Sequence, residues 1–200
     1  GNLKIKSELN ILSKNFKTRN FSYYYDKLAV PNRFDKPEIN FIKKILQVEL
    51  PKPIRTRVLN SLFEKFIGLD EKSFCRELYV NLDQLKFMLK SGMHIGSHGY
   101  EHNWLSSLNE VEQKIQINKS LDFLKQIGVN TKKWTMCFPY GDFNNITIDI
   151  LKNNNCSLAL TTDPNIADLK RHNRFTLPRL DTNDLPKDSK SDPNEWYLKG

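Results

Sequence analysis

The chain has 200 residues, 38% hydrophobic and 27% charged, with a formal net charge of +8; this composition suits a soluble globular protein with length for one domain and a substantial core. No run approaches the roughly 18 apolar residues of a bilayer span, which excludes a membrane-spanning helix of that kind, and no basic segment leads into an apolar stretch as in a secretion signal. The positive charges are scattered along the whole chain, which predicts a solvated surface and no nucleic-acid partner.

Residues 1–35 mix polar and aromatic side chains (NFKTRNFSYYYDKL), hold neither a 2 nor a 3.6 period, and are read as irregular. From Lys36 the pattern is helical: Pro37 opens PEINFIKKILQ, where Phe41, Ile42, Ile45 and Leu46 share a face, and PKP at Pro51 to Pro53 breaks it. Ile54, Val58, Leu59, Leu62, Phe63 and Phe66 predict a second amphipathic helix ended by Gly68. A third follows, with Phe74, Leu78, Leu82, Leu85, Met88 and Leu89 inward, until Gly92 stops it.

MHIGS is then read as a buried strand. Ser107 and Glu110 form a capping box that starts a long helix with Val111, Ile115, Leu121, Leu124 and Ile127 inward, ended by Gly128. KWTMCF reads as a strand, PYGDFNN as a turn, ITIDILKNNN as a short helix, CSLALTT as a strand and RFTLPRL as a last strand. This alternation implies an α/β fold with a largely parallel sheet and crossover helices, whose functional loops gather at the carboxyl ends of strands. GSHGYEH, FPYGDF and LTTDPN lie there. Cys75, Cys137 and Cys156 form no CxxC pair and are read as free thiols; they favour a reducing, cytoplasmic compartment, with the cell envelope as the alternative.

His98 and His102 are four residues apart just beyond a strand end, and neutral imidazole is the commonest protein ligand of a divalent metal. Such a spacing also arises by chance, so it needs support from its surroundings. His94 falls inside the MHIGS strand and is read as a packed or surface strand residue, and His172 as solvated. Support comes from order along the chain. IGSHGYEHNWLSSL, CFPYGDFN, ALTTDPN and LPRLDTND together resemble the landmarks of polysaccharide deacetylases with a NodB-homology domain, carbohydrate esterase family four. Gly99 stands where Ser or Thr usually follows the first histidine of that motif, and the helical stretch 36–91 resembles an insertion found in some members.

The resemblance implies an incomplete NodB-type (β/α) barrel and a metal-dependent hydrolase that removes N-acetyl groups from a polysaccharide or oligosaccharide. His98 and His102 would be ligands of a divalent ion, zinc or similar, which lowers the pKa of bound water to about 7 and polarises the amide carbonyl. The backbone amide of Tyr140 would face the developing oxyanion. Pro139, Tyr140, Gly141 and Trp104 would line the sugar, with simple packing an equal reading for Trp104.

The chain also departs from the family pattern. The family's Thr-Phe-Asp-Asp-Gly motif supplies a metal-binding Asp and the general base, whereas this chain has no adjacent Asp pair. The family arginine that supports the base falls at Cys137, with Arg179 the replacement by position, and the late Leu-x-His motif is absent because no histidine follows His172. Catalytic zinc generally has three protein ligands, so Asp142, Asp163 and Asp181, near expected strand ends, are candidate third ligands. The start at Gly1 suggests the later portion of a longer protein, its unpaired sheet edge covered by another segment or subunit. The competing reading is a non-catalytic glycan-binding or assembly module on the same fold.

Overall fold

Local sequence rules account for most of the helices in the computed structural model, which describes residues 19–188, 190–192 and 194–196. Asn20 accepts a hydrogen bond from Tyr23 N (3.0 Å) and opens α1, Phe21–Leu28. This corrects the irregular reading of the stretch: Phe21, Tyr24, Tyr25 and Leu28 stand at i, i+3, i+4 and i+7, a helical stripe carried by aromatic residues. Residues 1–18 lie outside the described residues. Pro37 occupies the first turn of α2, Pro37–Lys44, which continues as a π-helical turn over Ile45–Glu49. α3 spans Lys52–Phe66, and Gly68, at φ +67°, follows its end. Tyr24, Leu28, Phe41, Ile45, Leu50, Ile54 and Val58 form one buried cluster. Leu59 and Phe66, expected inside, are exposed.

The predicted third helix is two. Asp70 caps α4, Glu71–Leu78, through Ser73 N, and Asn81 starts α5, Leu82–Lys90, with a full capping box to Gln84. The chain divides between them into two compact units, one running to Tyr79 and the other from Val80.

In the second unit α6 is Glu110–Ile127, and Gly128 closes it in the left-handed conformation. Its box is Asn109 with Glu112, two residues beyond the expected Ser107 and Glu110, because Leu105–Ser107 forms a separate 3-10 turn. The inward face also differs. Gln113, Gln116, Ile117, Ser120, Leu121, Leu124 and Ile127 are buried, whereas Val111 and Ile115 are exposed. The two glutamines are satisfied inside: Gln113 accepts from Thr147 Oγ1 (2.7 Å) and donates to Leu108 O (3.0 Å), and Gln116 accepts from Glu101 N (2.9 Å).

Strand β1, Trp134–Cys137, pairs in parallel with β2, Cys156–Leu160, and α7, Asn145–Asn153, is the crossover between them. The expected α/β alternation therefore holds as a small parallel sheet. The two outer strands do not form as predicted: each contributes a single parallel bridge, Ser97 to Met136 and Leu177 to Leu160. In MHIGS, Met93 and His94 are exposed, and Gly96 lies so close to Thr135 that a Cβ would meet its Oγ1 at 2.4 Å. In RFTLPRL, Leu177 exchanges bonds with Ala159 and Thr161, and Arg179 N then donates to Asp163 O, beyond the end of β2.

Trp134, Met136, Phe138, Leu151, Ile117 and Leu105 are nearly or fully buried around this sheet, and side chains of this size contribute about 1.5–3 kcal/mol each on burial. Trp134 Nε1 donates to Asn154 O at 2.7 Å, so its polar atom is satisfied too. Cys156 is buried, Cys75 and Cys137 are half-buried, and all three are free thiols. No helix among the described residues is long and apolar enough to cross a membrane.

Candidate functional site

Two chain segments leave the sheet on the same side and meet. The first follows Ser97, whose N–H donates to Thr135 O (2.8 Å) and whose carbonyl accepts from Cys137 N (2.9 Å). The Ser97 hydroxyl is 2.5 Å from that of Ser120 on α6 and accepts from Gly99 N (3.2 Å). Gly99 sits at φ +76° with Pro139 Cγ 3.2 Å from where a Cβ would stand, a backbone that resists the Ser or Thr usual in the resembling motif. Gln116 then holds Glu101 N, next to His102.

The second segment leaves β1 at Phe138 and turns through Pro139–Gly141. Gly141 has φ +70°, and a Cβ on it would meet Thr162 Oγ1 at 2.1 Å, so the turn passes too close to the end of β2 for any side chain.

Where the segments meet, the His98 and His102 rings converge. Their Nε2 atoms are 3.0 Å apart and the ring centroids 4.8 Å. His98 Nδ1 is 2.8 Å from the Cys137 carbonyl and His102 Nδ1 is 2.9 Å from the Tyr140 hydroxyl. Trp104 stacks on Tyr140 at 5.0 Å and 16°, so each ring spends one face on the other. The Trp104 indole N–H is buried without a hydrogen-bond partner among the described residues. Both histidines lie on the exposed side of the unit. Partial burial, and secondarily the charge of His98, lower the His102 pKa below the usual imidazole value of 6.5.

The backbone at this meeting point is strained. Among the described residues, three non-glycines have positive φ: His102 (54°), Tyr140 (58°) and Asn155 (59°). Left-handed conformations of this kind cost on the order of 1–3 kcal/mol each and persist where surroundings over-determine them. His102 and Tyr140 touch one another.

Of the other expected site residues, Arg179 donates from Nε to Thr161 O (3.0 Å) and lies 3.9 Å from Cys137 Sγ through Nη1. It stands beside the residue whose carbonyl holds His98. The candidate carboxylates do not join the histidines. Asp142 accepts from both the N–H and the hydroxyl of Ser106 (2.7 Å each), fastening the tyrosine turn to the loop after Trp104. Asp181 accepts from Asn183 N and Nδ2, and Asp163 gives its carbonyl to Arg179 N. Among the described residues no group of three or more His, Cys, Asp or Glu can hold a metal ion.

The pair fits two ligands of a divalent cation. Two nitrogens each about 2.0–2.1 Å from one tetrahedral zinc lie roughly 3.3 Å apart, close to the 3.0 Å seen between the Nε2 atoms. Each ring also has an outer partner at Nδ1, as metal-ligating imidazoles do. Sequence reasoning missed Ser97, which bridges to β1, and Ser120 and Gln116 on α6, which brace the histidine loop; buried polar residues on a helix face carry no periodic apolar signal.

Residues 70–159 match the polysaccharide deacetylase family. No curated protein matches the chain. Among solved structures, the chain is similar to the Streptococcus pyogenes deacetylase PplD in complex with acetate, at 29% identity and TM-score 0.47, covering 50% of this chain and 44% of that one. It is also similar to IcaB from Ammonifex degensii, at 25% identity and TM-score 0.41, covering 50% and 46%. The chain spans less than half the length of either structure.

Proposed function

From the polysaccharide deacetylase segment at residues 70–159 we propose that the protein is a metal-dependent hydrolase that removes N-acetyl groups from a polysaccharide or oligosaccharide, on an incomplete NodB-type barrel. The observation that carries this reading is the convergence of His98 Nε2 and His102 Nε2 to 3.0 Å beside the tyrosine turn. A divalent ion such as zinc, when bound, supplies Lewis acidity toward the amide carbonyl and a water of lowered pKa.

The chain's own residues supply the rest. His98 and His102 bind the ion, each oriented through Nδ1 by Cys137 O or Tyr140. The Tyr140 backbone N–H is the donor for the oxygen on which negative charge develops, a role worth about 2.7–4 kcal/mol where such donors have been removed. Pro139 and Gly141 hold that amide in its strained turn, and the stacked Trp104 and Tyr140 form an apolar wall against which a sugar ring can rest. Arg179 anchors Cys137 and so stands behind His98. Amide and water are converted to free amine and acetate.

The test is acetate release from partly N-acetylated oligosaccharides, with zinc content measured on the same sample before and after chelation. Stoichiometric metal and chelator-sensitive acetate support the proposal; acetate release unaffected by full metal removal refutes metal dependence. A second reading, a glycan-binding module without catalysis, is favoured by one observation: no carboxylate among the described residues joins the two histidines. Saturable oligosaccharide binding that ignores chelator, with no acetate formed, would select it.

A further inference from the structure

The two histidines are hydrogen-bonded asymmetrically, and the asymmetry follows from what each partner atom can do. A carbonyl oxygen only accepts, so His98, 2.8 Å from Cys137 O through Nδ1, carries its proton there. In the neutral ring Nε2 of His98 is then a bare acceptor. The 3.0 Å contact between the Nε2 atoms requires one donor, so the proton of His102 sits on Nε2. That leaves His102 Nδ1 as an acceptor, and the Tyr140 hydroxyl, 2.9 Å away, donates to it. The neutral, metal-free chain thus runs from the Tyr140 O–H through His102 and His98 to the Cys137 carbonyl, every hydrogen bond pointing the same way.

His98 is therefore already in the tautomer that a cation needs, with Nε2 bare. His102 is not. To bind through Nε2 its ring must carry the proton on Nδ1 instead, exchanged through solvent, and the group facing Nδ1 must turn from donor to acceptor. A carbonyl or carboxylate cannot donate in the first state; a hydroxyl serves in both. We infer that the side-chain hydroxyl of Tyr140 is a positioning group for His102 that reverses its hydrogen bond when a divalent cation binds, leaving His98 as the fixed ligand and His102 as the one that switches. This role belongs to the phenol oxygen and is separate from that of the Tyr140 backbone amide. It rests on the proposal that the two histidines bind a metal ion.

The experiment uses the whole chain and its Tyr140→Phe variant, which loses one oxygen and keeps the stack on Trp104. Nitrogen-15 spectra of the histidine side chains, recorded metal-free above the imidazole titration range and again during zinc titration, report which nitrogen bears each proton. The expected result is His98 protonated on Nδ1 in both states, and His102 moving from Nε2–H to Nδ1–H as zinc is added. Tyr140→Phe should keep the metal-free pattern, because His98 still accepts from His102, and should bind zinc about 10–100-fold more weakly, the usual cost of removing such an outer partner. A His102 already protonated on Nδ1 without metal, or equal zinc affinity in the two proteins, overturns the inference while leaving the deacetylase proposal standing. Failure of the unmodified chain to bind zinc overturns both, and is told apart by the unmodified chain's own titration.

Discussion

Gly141→Ala is the substitution whose cost the structure specifies most closely. Two contributions add. At φ +70° an L-residue in the left-handed region costs about 1–2 kcal/mol relative to its ordinary conformation. The new Cβ would also stand 2.1 Å from Thr162 Oγ1, 2.9 Å from its Cγ2 and 3.0 Å from its Cβ. Rotating the threonine relieves the first contact but not all three, because the Cβ position is fixed by the backbone at the end of β2; overpacking of this kind costs about 1–3 kcal/mol. The sum is about 2–5 kcal/mol, a large fraction of a typical domain's stability. Urea unfolding followed by the fluorescence of the three tryptophans, of which Trp134 is fully buried, reads it, and Thr162→Ala in the same background separates the two contributions. Removing the hydroxyl and methyl of Thr162 should return most of the steric share and none of the backbone share, giving a coupling energy of about 1–2 kcal/mol in the double-mutant cycle. A Gly141→Ala protein as stable as the parent, or a cycle with no coupling, would refute the close approach of the tyrosine turn to the end of β2.

Three further outcomes are expected. Gly99→Ser, although it restores the residue usual in the resembling motif, should lower stability by about 1–2 kcal/mol through the φ of +76° alone, and a thermal melt with no loss would contradict the left-handed backbone at this position. In native protein a thiol reagent at mildly alkaline pH should modify the half-buried Cys75 and Cys137 and spare Cys156, whose burial pushes its thiol up to about 11; denaturant should release the third thiol, and three equivalents reacting at once would sink the assignment. Because burial and His98 hold the folded-state pKa of His102 below 6.5, the unfolded chain binds its proton first as the pH falls. Stability should therefore decline as pH drops from about 6.5 toward that lowered value and level off beneath it, and His102→Gln should flatten that slope in chemical unfolding curves.

The glycine that closes α6 was legible from sequence because that signal is local, whereas its capping box lies two residues beyond the expected one, and α7 opens at Asn144 and ends at Asn154 without a glycine. What depends on partners was not legible. MHIGS and RFTLPRL look like strands because they are short and apolar, but strand status requires a continuous ladder with a neighbour, and among the described residues each segment makes a single bridge. The inner face of α6 carries Gln113 and Gln116 where the apolar pattern pointed to Val111 and Ile115; an amide can be buried when its polar atoms find internal partners, which the pattern does not show. In the site, His98, His102, Tyr140 and Trp104 come together as strand-end placement implied. Asp142 sits where a ligand was sought but spends both oxygens on Ser106, a partner 36 residues away that no spacing rule could pick out.

The cost of holding His102 and Tyr140 at positive φ has to be met by contacts that a relaxed backbone would lose. Those contacts are identifiable: Gln116 to Glu101 N on one side of His102, Asp142 to Ser106 beyond Trp104, and the Trp104–Tyr140 stack between them. Each net hydrogen bond of this kind contributes about 0.5–1.5 kcal/mol, more where the acceptor is charged, and an aromatic pair about 0.5–1.5 kcal/mol. Together they match the roughly 1–3 kcal/mol of each strained residue. A glycine at either position would remove the strain outright but would also remove the imidazole or the phenol. The strain thus marks the two positions where a side chain was retained against backbone preference, and both face the gap between the Nε2 atoms or the ring that orients one of them.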